Sequence, residues 1–220
     1  MLPNVWDLFE THVFPEPSTD EQFNPYRDRH EDLDAPDAPS HRRDNLRQYL
    51  ACFDDAPRLF LLLEAPGPWG CRFSGVPVTS EDQLADPDFP IDGTVTSRAD
   101  RPPLTEYSAS IFWRVLQPHF PQFFVWNSLP LHPHDPGDPV SIRTPRRSEV
   151  RAWHELLRAL LDTLAPDRTV GVGRKGERAL DDVGADPTYV RHPSQGGANK
   201  FESGMETIVE EMSLPDNSGG

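Results

Sequence analysis

Cysteine is scarce in this chain: Cys52 and Cys71 are the two among 220 residues. That excludes a disulfide framework, a four-cysteine zinc site and a cysteine-ligated iron–sulfur cluster. Lysine is equally scarce, at Lys175 and Lys200, and the other 19 basic residues are arginine. No apolar run approaches the ~18 residues of a membrane-spanning helix. The first ten residues lack a basic segment and carry Asp7 and Glu10. They do not read as a signal peptide, and a cytoplasmic protein is expected. A nucleophile elbow, a phosphate-binding Walker loop and a GxGxxG fingerprint are all missing. Gly171-Val-Gly173 is a lone GxG and says little.

What is there starts with acid. The formal charge is −15, from 36 acidic and 21 basic residues. At face value it argues against a polyanionic partner such as DNA. Excess acid with little lysine fits a salt-adapted proteome or a GC-rich genome. The length predicts one domain with a sizeable core, over residues 1–214. Proline is abundant, at 25 residues. Much of it lies in Pro15 to Pro39 and in Leu84 to Pro103. The first stretch, within residues 15–40, also carries Glu31, Asp32, Asp34 and Asp37, and reads as exposed and loosely ordered. The tail 215–220 is small and polar and is expected to be disordered.

Four short apolar runs read as buried strands: Arg58 to Leu63, Phe123 to Asn127, Thr169 to Gly173 and Thr188 to Val190. Helical patterns alternate with them, over Asp44 to Phe53, Thr105 to Leu116, Ser148 to Leu164 and Arg174 to Leu180. Ser148 is a plausible N-cap of the strongest. The alternation predicts an α/β fold, three layers α/β/α around a mainly parallel four-stranded sheet. Ligands of such sheets bind at the carboxyl ends of the strands.

Three loops leave those ends with unusual polar residues. The first begins Glu64-Ala-Pro-Gly-Pro-Trp-Gly. A carboxylate directly after a buried strand is poorly solvated. Pro66, Gly67, Pro68 and Gly70 make a stiff turn whose backbone can approach a ligand closely. An ordinary βα loop, with Glu64 on a backbone amide, is the plain alternative. The second loop follows Trp126-Asn127. An asparagine amide offers one acceptor and two donors and can read a pyrimidine edge; a turn-forming Asn is the alternative. His132 and His134 lie two apart without an obvious third ligand, so they read as loop histidines and no metal site is expected. The third loop is Arg191-His192-Pro-Ser194-Gln-Gly-Gly-Ala-Asn-Lys200. It holds no acid, and its imidazole can donate to a developing oxyanion. Its glycines and serine suit a path close to phosphates, although a solvated surface loop would look similar.

Taken in order, the three loops resemble the uracil-DNA glycosylase superfamily. Pro-Gly-Pro-Trp-Gly…Ser-Gly-Val-Pro is close to the first motif of the single-strand-selective monofunctional enzymes. The Glu64-Ala-Pro-Gly start is similar to that of the iron–sulfur glycosylases of thermophiles. Trp126-Asn127 and His192-Pro193-Ser194 match the second and third motifs. The resemblance spans roughly positions 58 to 205. It implies a monofunctional DNA-repair enzyme, expected to be a monomer, that flips uracil out of DNA. Glu64 and His192 would be catalytic. Ala65, Gly67, Trp69, Gly70, Phe73, Val78 and Asn127 would form the base pocket. Arg191, Ser194, Gln195, Gly196 and Lys200 would wedge into DNA and hold phosphates. No cofactor is implied, because the cluster-binding cysteines are missing. Two positions depart from the family pattern. Ala65 stands where many members carry the water-activating Asp or Asn, which moves the acid role to Glu64. Val78 stands where relatives carry the base-stacking aromatic, which leaves either Trp69 or Phe73 for that role or a weaker stack on the base. A binder of uracil-DNA that has lost catalysis, and an unrelated α/β nucleotide enzyme, are the rival readings.

Overall fold

A computed structural model describes residues 2–217. The elements in chain order are α1 (Pro3–His12), β1 (Gln22–Phe23), α2 (Ala38–Ala51), β2 (Leu59–Leu63), α3 (Cys71–Ser74), α4 (Glu81–Leu84), α5 (Tyr107–Leu116), β3 (Phe123–Asn127), β4 (His132–Pro133), α6 (Arg147–Arg151), α7 (His154–Leu164), β5 (Arg168–Val172), α8 (Arg174–Asp182), β6 (Thr188–Val190) and α9 (Ala198–Met212). Four strands form one parallel sheet in the order β3-β2-β5-β6. β2 and β3 are buried at every residue, which is why they read as unbroken apolar runs rather than alternating ones. β1 and β4 form a separate antiparallel pair.

Alternate residues of β3 face opposite layers. Phe124 packs against Tyr49 and Phe53 of the α2 side, and Trp126 stacks on Phe9 of α1 at 4.2 Å. Phe123 meets Phe112 of α5, which in turn meets Phe201 of α9. The sheet is therefore covered on both faces, in three layers α/β/α. Helix α8 lies unusually close to the sheet. A side chain on Gly176 would sit 2.0 Å from the Leu62 carbonyl, and one on Gly171 would sit 2.2 Å from the Glu177 backbone. Among the described residues no helix is long and apolar enough to cross a membrane.

Several elements differ from their sequence reading. The helix expected over Ser148 to Leu164 is two, broken around Trp153, and Ser148 lies inside the first turn of α6 instead of capping it. Glu149 explains the early start. Its carboxylate accepts from the Arg146 amide and holds Arg143 and Gln22. The first proline-rich stretch is not exposed throughout: Asn24, Tyr26 and Asp34 are buried. Helices α1 and α9 have no counterpart among the expected helices. At the chain end, His119 and the backbone of Phe120 bond to Pro215 and Asn217, and residues 218–220 of the tail lie outside the described residues.

Candidate active site

The parallel order of the sheet decides which loops meet. Asn127 ends β3 and pairs in register with Leu63 at the end of β2; Glu64 follows directly. Gly173 follows β5, and His192 stands two residues beyond the end of β6. Asn127, Glu64, Gly173 and His192 thus form a row along the carboxyl edge. Neighbouring strands are spaced ~4.8 Å apart, so Asn127 and His192 flank a backbone gap of roughly 14 Å with Glu64 inside it. The second loop clamps the first. Ser128 Oγ donates to the Glu64 carbonyl at 2.7 Å, and the Leu129 amide donates to the same oxygen at 3.0 Å.

His192 is oriented by its own motif. The Ser194 amide donates to Nδ1 at 3.2 Å, with Ser194 Oγ 2.8 Å from the same nitrogen. A backbone amide can only donate, so Nδ1 carries the lone pair and the proton of the neutral ring sits on Nε2. Burial, helped by the Arg191 charge, lowers the pKa of His192 to about 4. At neutral pH the ring is therefore an uncharged Nε2–H donor. Its Cβ lies 3.3 Å from where a side chain on Gly173 would be, so that glycine admits the ring beside β5. Glu64 is half-buried, and burial raises its pKa against the opposing pull of the Lys175 ammonium. Asn127 is buried, with Nδ2 3.8 Å from the Cys71 sulfur.

The first loop is held by buried charge. Asp34 bridges Arg42 of α2 and Arg72 of α3, and all three side chains are inaccessible to solvent. Burial alone would raise the Asp34 pKa, but the two guanidinium groups outweigh it and hold it below the ordinary carboxylate range. Arg72 also lies 4.1 Å from the centre of the Phe73 ring. Glu81 accepts from the Thr96 and Ser97 amides at 2.7 Å each, pinning the second proline-rich stretch beneath the loop. His132 Nδ1 donates to the Pro66 carbonyl at 2.8 Å. That is a structural use of this histidine, which lies in β4 and not in a loop.

Glu106 lies against the first loop and is not among the expected site residues. It occupies the N-cap position of α5, yet its side chain does not cap the helix. The carboxylate turns back onto the Pro66–Gly70 turn. A side chain on Gly70 would land 1.6 Å from Oε2, and one on Gly67 would land 2.5 Å from Oε1. The glycines expected to admit a ligand thus admit Glu106. Ser108 Oγ donates to Oε1 at 2.7 Å, while Oε2 is buried and has no partner among the described residues. No local pattern marks this residue, because its contact with the turn spans some forty positions of chain. Lys175, at the start of α8 beside Glu64, was missed for the same reason.

Other expected site residues fall differently. Phe73 is fully buried, and Val78 belongs to the main core at a strained φ of 47°, its carbonyl held by Trp113 Nε1. Of the three positions weighed for stacking on a base, Trp69 alone presents open surface, at 41% exposure. Ala65, Arg191 and Ser194 are half-buried beside these residues. Gln195 and Gly196 form an exposed tip, both with positive φ. Lys200 does not lie in that loop: it is exposed on the first turn of α9, because the helix starts at Ala198.

The sequence matches no protein-family model and no curated protein. Among solved structures, the chain is similar to wild-type SMUG2 of Pedobacter heparinus, with a TM-score of 0.65. The two share a fold. The likeness to SMUG2 covers 96% of each chain at 16% identity.

Proposed function

We propose that this protein is a DNA glycosylase that hydrolyses the N-glycosidic bond of uracil, or of a related deaminated base, after flipping the base out of the stack. The observation that carries this is the row of Asn127, Glu64 and His192 along one sheet edge, with His192 held as a neutral Nε2–H donor. The fold shared with SMUG2 is in keeping with it. In this reading the Asn127 amide reads the Watson–Crick edge and rejects cytosine. Bond cleavage places negative charge on the base and positive charge on the sugar. The His192 Nε2–H stabilises the developing oxyanion on O2 of the base. The Glu64 carboxylate orients the attacking water and stabilises the sugar cation. The Gln195–Gly196 tip enters the space the base leaves, with Arg191 and Lys200 near the flanking phosphates.

The test is incubation with oligonucleotides carrying uracil, hypoxanthine or xanthine, followed by alkali. Strand breaks at the modified base are expected, and their absence at all three would overturn the proposal. Ala65 favours a second reading, a protein that binds uracil-DNA without cleaving it. Glu64→Gln separates the two: an enzyme loses about 10²- to 10⁴-fold in rate while keeping its affinity for DNA, and a binder has no rate to lose. Lys175 adds a check on monofunctional hydrolysis. Borohydride should trap no protein–DNA adduct, and an adduct through Lys175 would show lyase chemistry instead.

A further inference from the structure

We propose that Glu106 is a specificity-determining residue whose carboxyl group, in its acid form, donates a hydrogen bond from Oε2 to a carbonyl oxygen of the flipped base. The inference rests on the glycosylase reading and extends it to a residue outside the three loops. Glu106 and Asn127 both lie next to Cys71: Nδ2 of Asn127 is 3.8 Å from its sulfur, and the Glu106 carboxylate lies against Gly70, the residue before Cys71. Asn127 is the residue that contacts the base edge in the glycosylase reading, so Glu106 lies by the base end of the site. A buried polar atom without a partner is rare, and a ligand that supplies the partner is one of its few explanations. Oε2 is such an atom. Ser108 Oγ already donates to Oε1, which leaves Oε2 to carry the proton. Gly67 and Gly70 leave this seat free, since a side chain on either would collide with the carboxylate.

The chemistry selects the base class. Deamination replaces an amino group, which donates, by a carbonyl, which accepts. An acid proton on Oε2 satisfies the carbonyl and opposes the amino group. It also strengthens as negative charge grows on the departing base, whereas an ionised carboxylate would repel that charge. Burial raises the Glu106 pKa and so favours the acid form. The groups around it do not reverse this. Cys71 and Tyr26 are themselves pushed up by burial and stay neutral, and Arg42, beyond Cys71, is paired with Asp34.

Single-turnover release of uracil tests the proposal, with wild type, Glu106→Gln and Glu106→Ala compared across the whole pH range in which the protein stays folded. Wild type should slow as pH rises and Glu106 ionises. Glu106→Gln keeps a donor that cannot ionise, and should be several-fold slower with that high-pH fall removed. Glu106→Ala should lose about 10²-fold at neutral pH, with a melting temperature no lower than wild type. Wild-type rate and pH profile in Glu106→Ala, or a high-pH fall retained in Glu106→Gln, would overturn the role of Glu106 alone. If Glu106→Ala does not fold, the profile of Glu106→Gln decides. A wild type that releases no base would overturn the glycosylase reading and this inference with it.

Discussion

At the scale of single residues, protonation is set by burial as much as by neighbours. His192 titrates at about 4 when folded, against an ordinary value of 6.5. The folded state therefore holds the ring neutral where the unfolded chain would protonate it. Its contribution to stability is complete above pH 6.5 and is lost as pH falls toward 4. The stability difference between wild type and His192→Ala should accordingly shrink, by on the order of 1–2 kcal/mol, between neutral pH and pH 5. Denaturant titrations at the two pH values measure it, and a pH-independent difference would place the ring in water. The same substitution should slow base release about 10²- to 10³-fold by removing one oxyanion donor. Glu64 and Glu106 shift upward for the same physical reason, so the variant comparison isolates the histidine from them.

Among the elements, the seating of α8 on the sheet is the contact that joins packing to the site. Gly176 brings the helix down onto the Leu62 carbonyl, one residue before the end of β2 and two before Glu64. The residue before Gly176, Lys175, carries the ammonium that acts on the Glu64 carboxylate. Gly176→Ala should push the helix outward, since the added methyl would sit 2.0 Å from a carbonyl oxygen. A loss of about 1–3 kcal/mol is expected from the overpacking, with a fall in base release larger than in oligonucleotide binding. Thermal melts and single-turnover rates check both. Unchanged values for both would mean that the helix moves freely on the sheet. The split of the long helical pattern around Trp153 is an element-scale event of another kind. Periodicity continues through the break, so the apolar stripe is legible, but the ion pair from Arg143 and the hydrogen bond from Gln22 that hold Glu149 at the start of α6 come from outside the stripe.

For the molecule as a whole, the charge of −15 is not spread evenly over its basic groups. Arg114, Arg146, Arg147 and Arg168 are each paired with an acid from a distant segment of the chain. Arg191 and Lys200, at the proposed DNA-facing edge, form no ion pair among the described residues. Locally that edge is open to phosphate although the net charge repels it. High salt weakens phosphate contacts by counterion competition, which leaves the base and wedge contacts to carry more of the binding. Activity is therefore expected to persist at salt that stops phosphate-dependent glycosylases; a steep loss by moderate salt would refute the salt-adapted reading and leave the site chemistry standing. Much of the frame was legible in the chain itself. β3 and β6 span the runs expected for them, β2 starts one residue later than its run, and β5 is shifted by one residue toward the N-terminus; β2 and β3 are the plainest of the four because burial on both faces requires continuous apolar residues. Asn127, Glu64 and His192 are legible as strand-end residues: Asn127 is the last of β3, Glu64 follows β2 directly and His192 stands two residues past β6. What the tertiary structure alone decided is long-range. Glu106 on its glycine seat, Asp34 between two arginines and Lys175 beside Glu64 each join segments far apart in sequence, and no local periodicity records a contact made only when the sheet and its covering helices close.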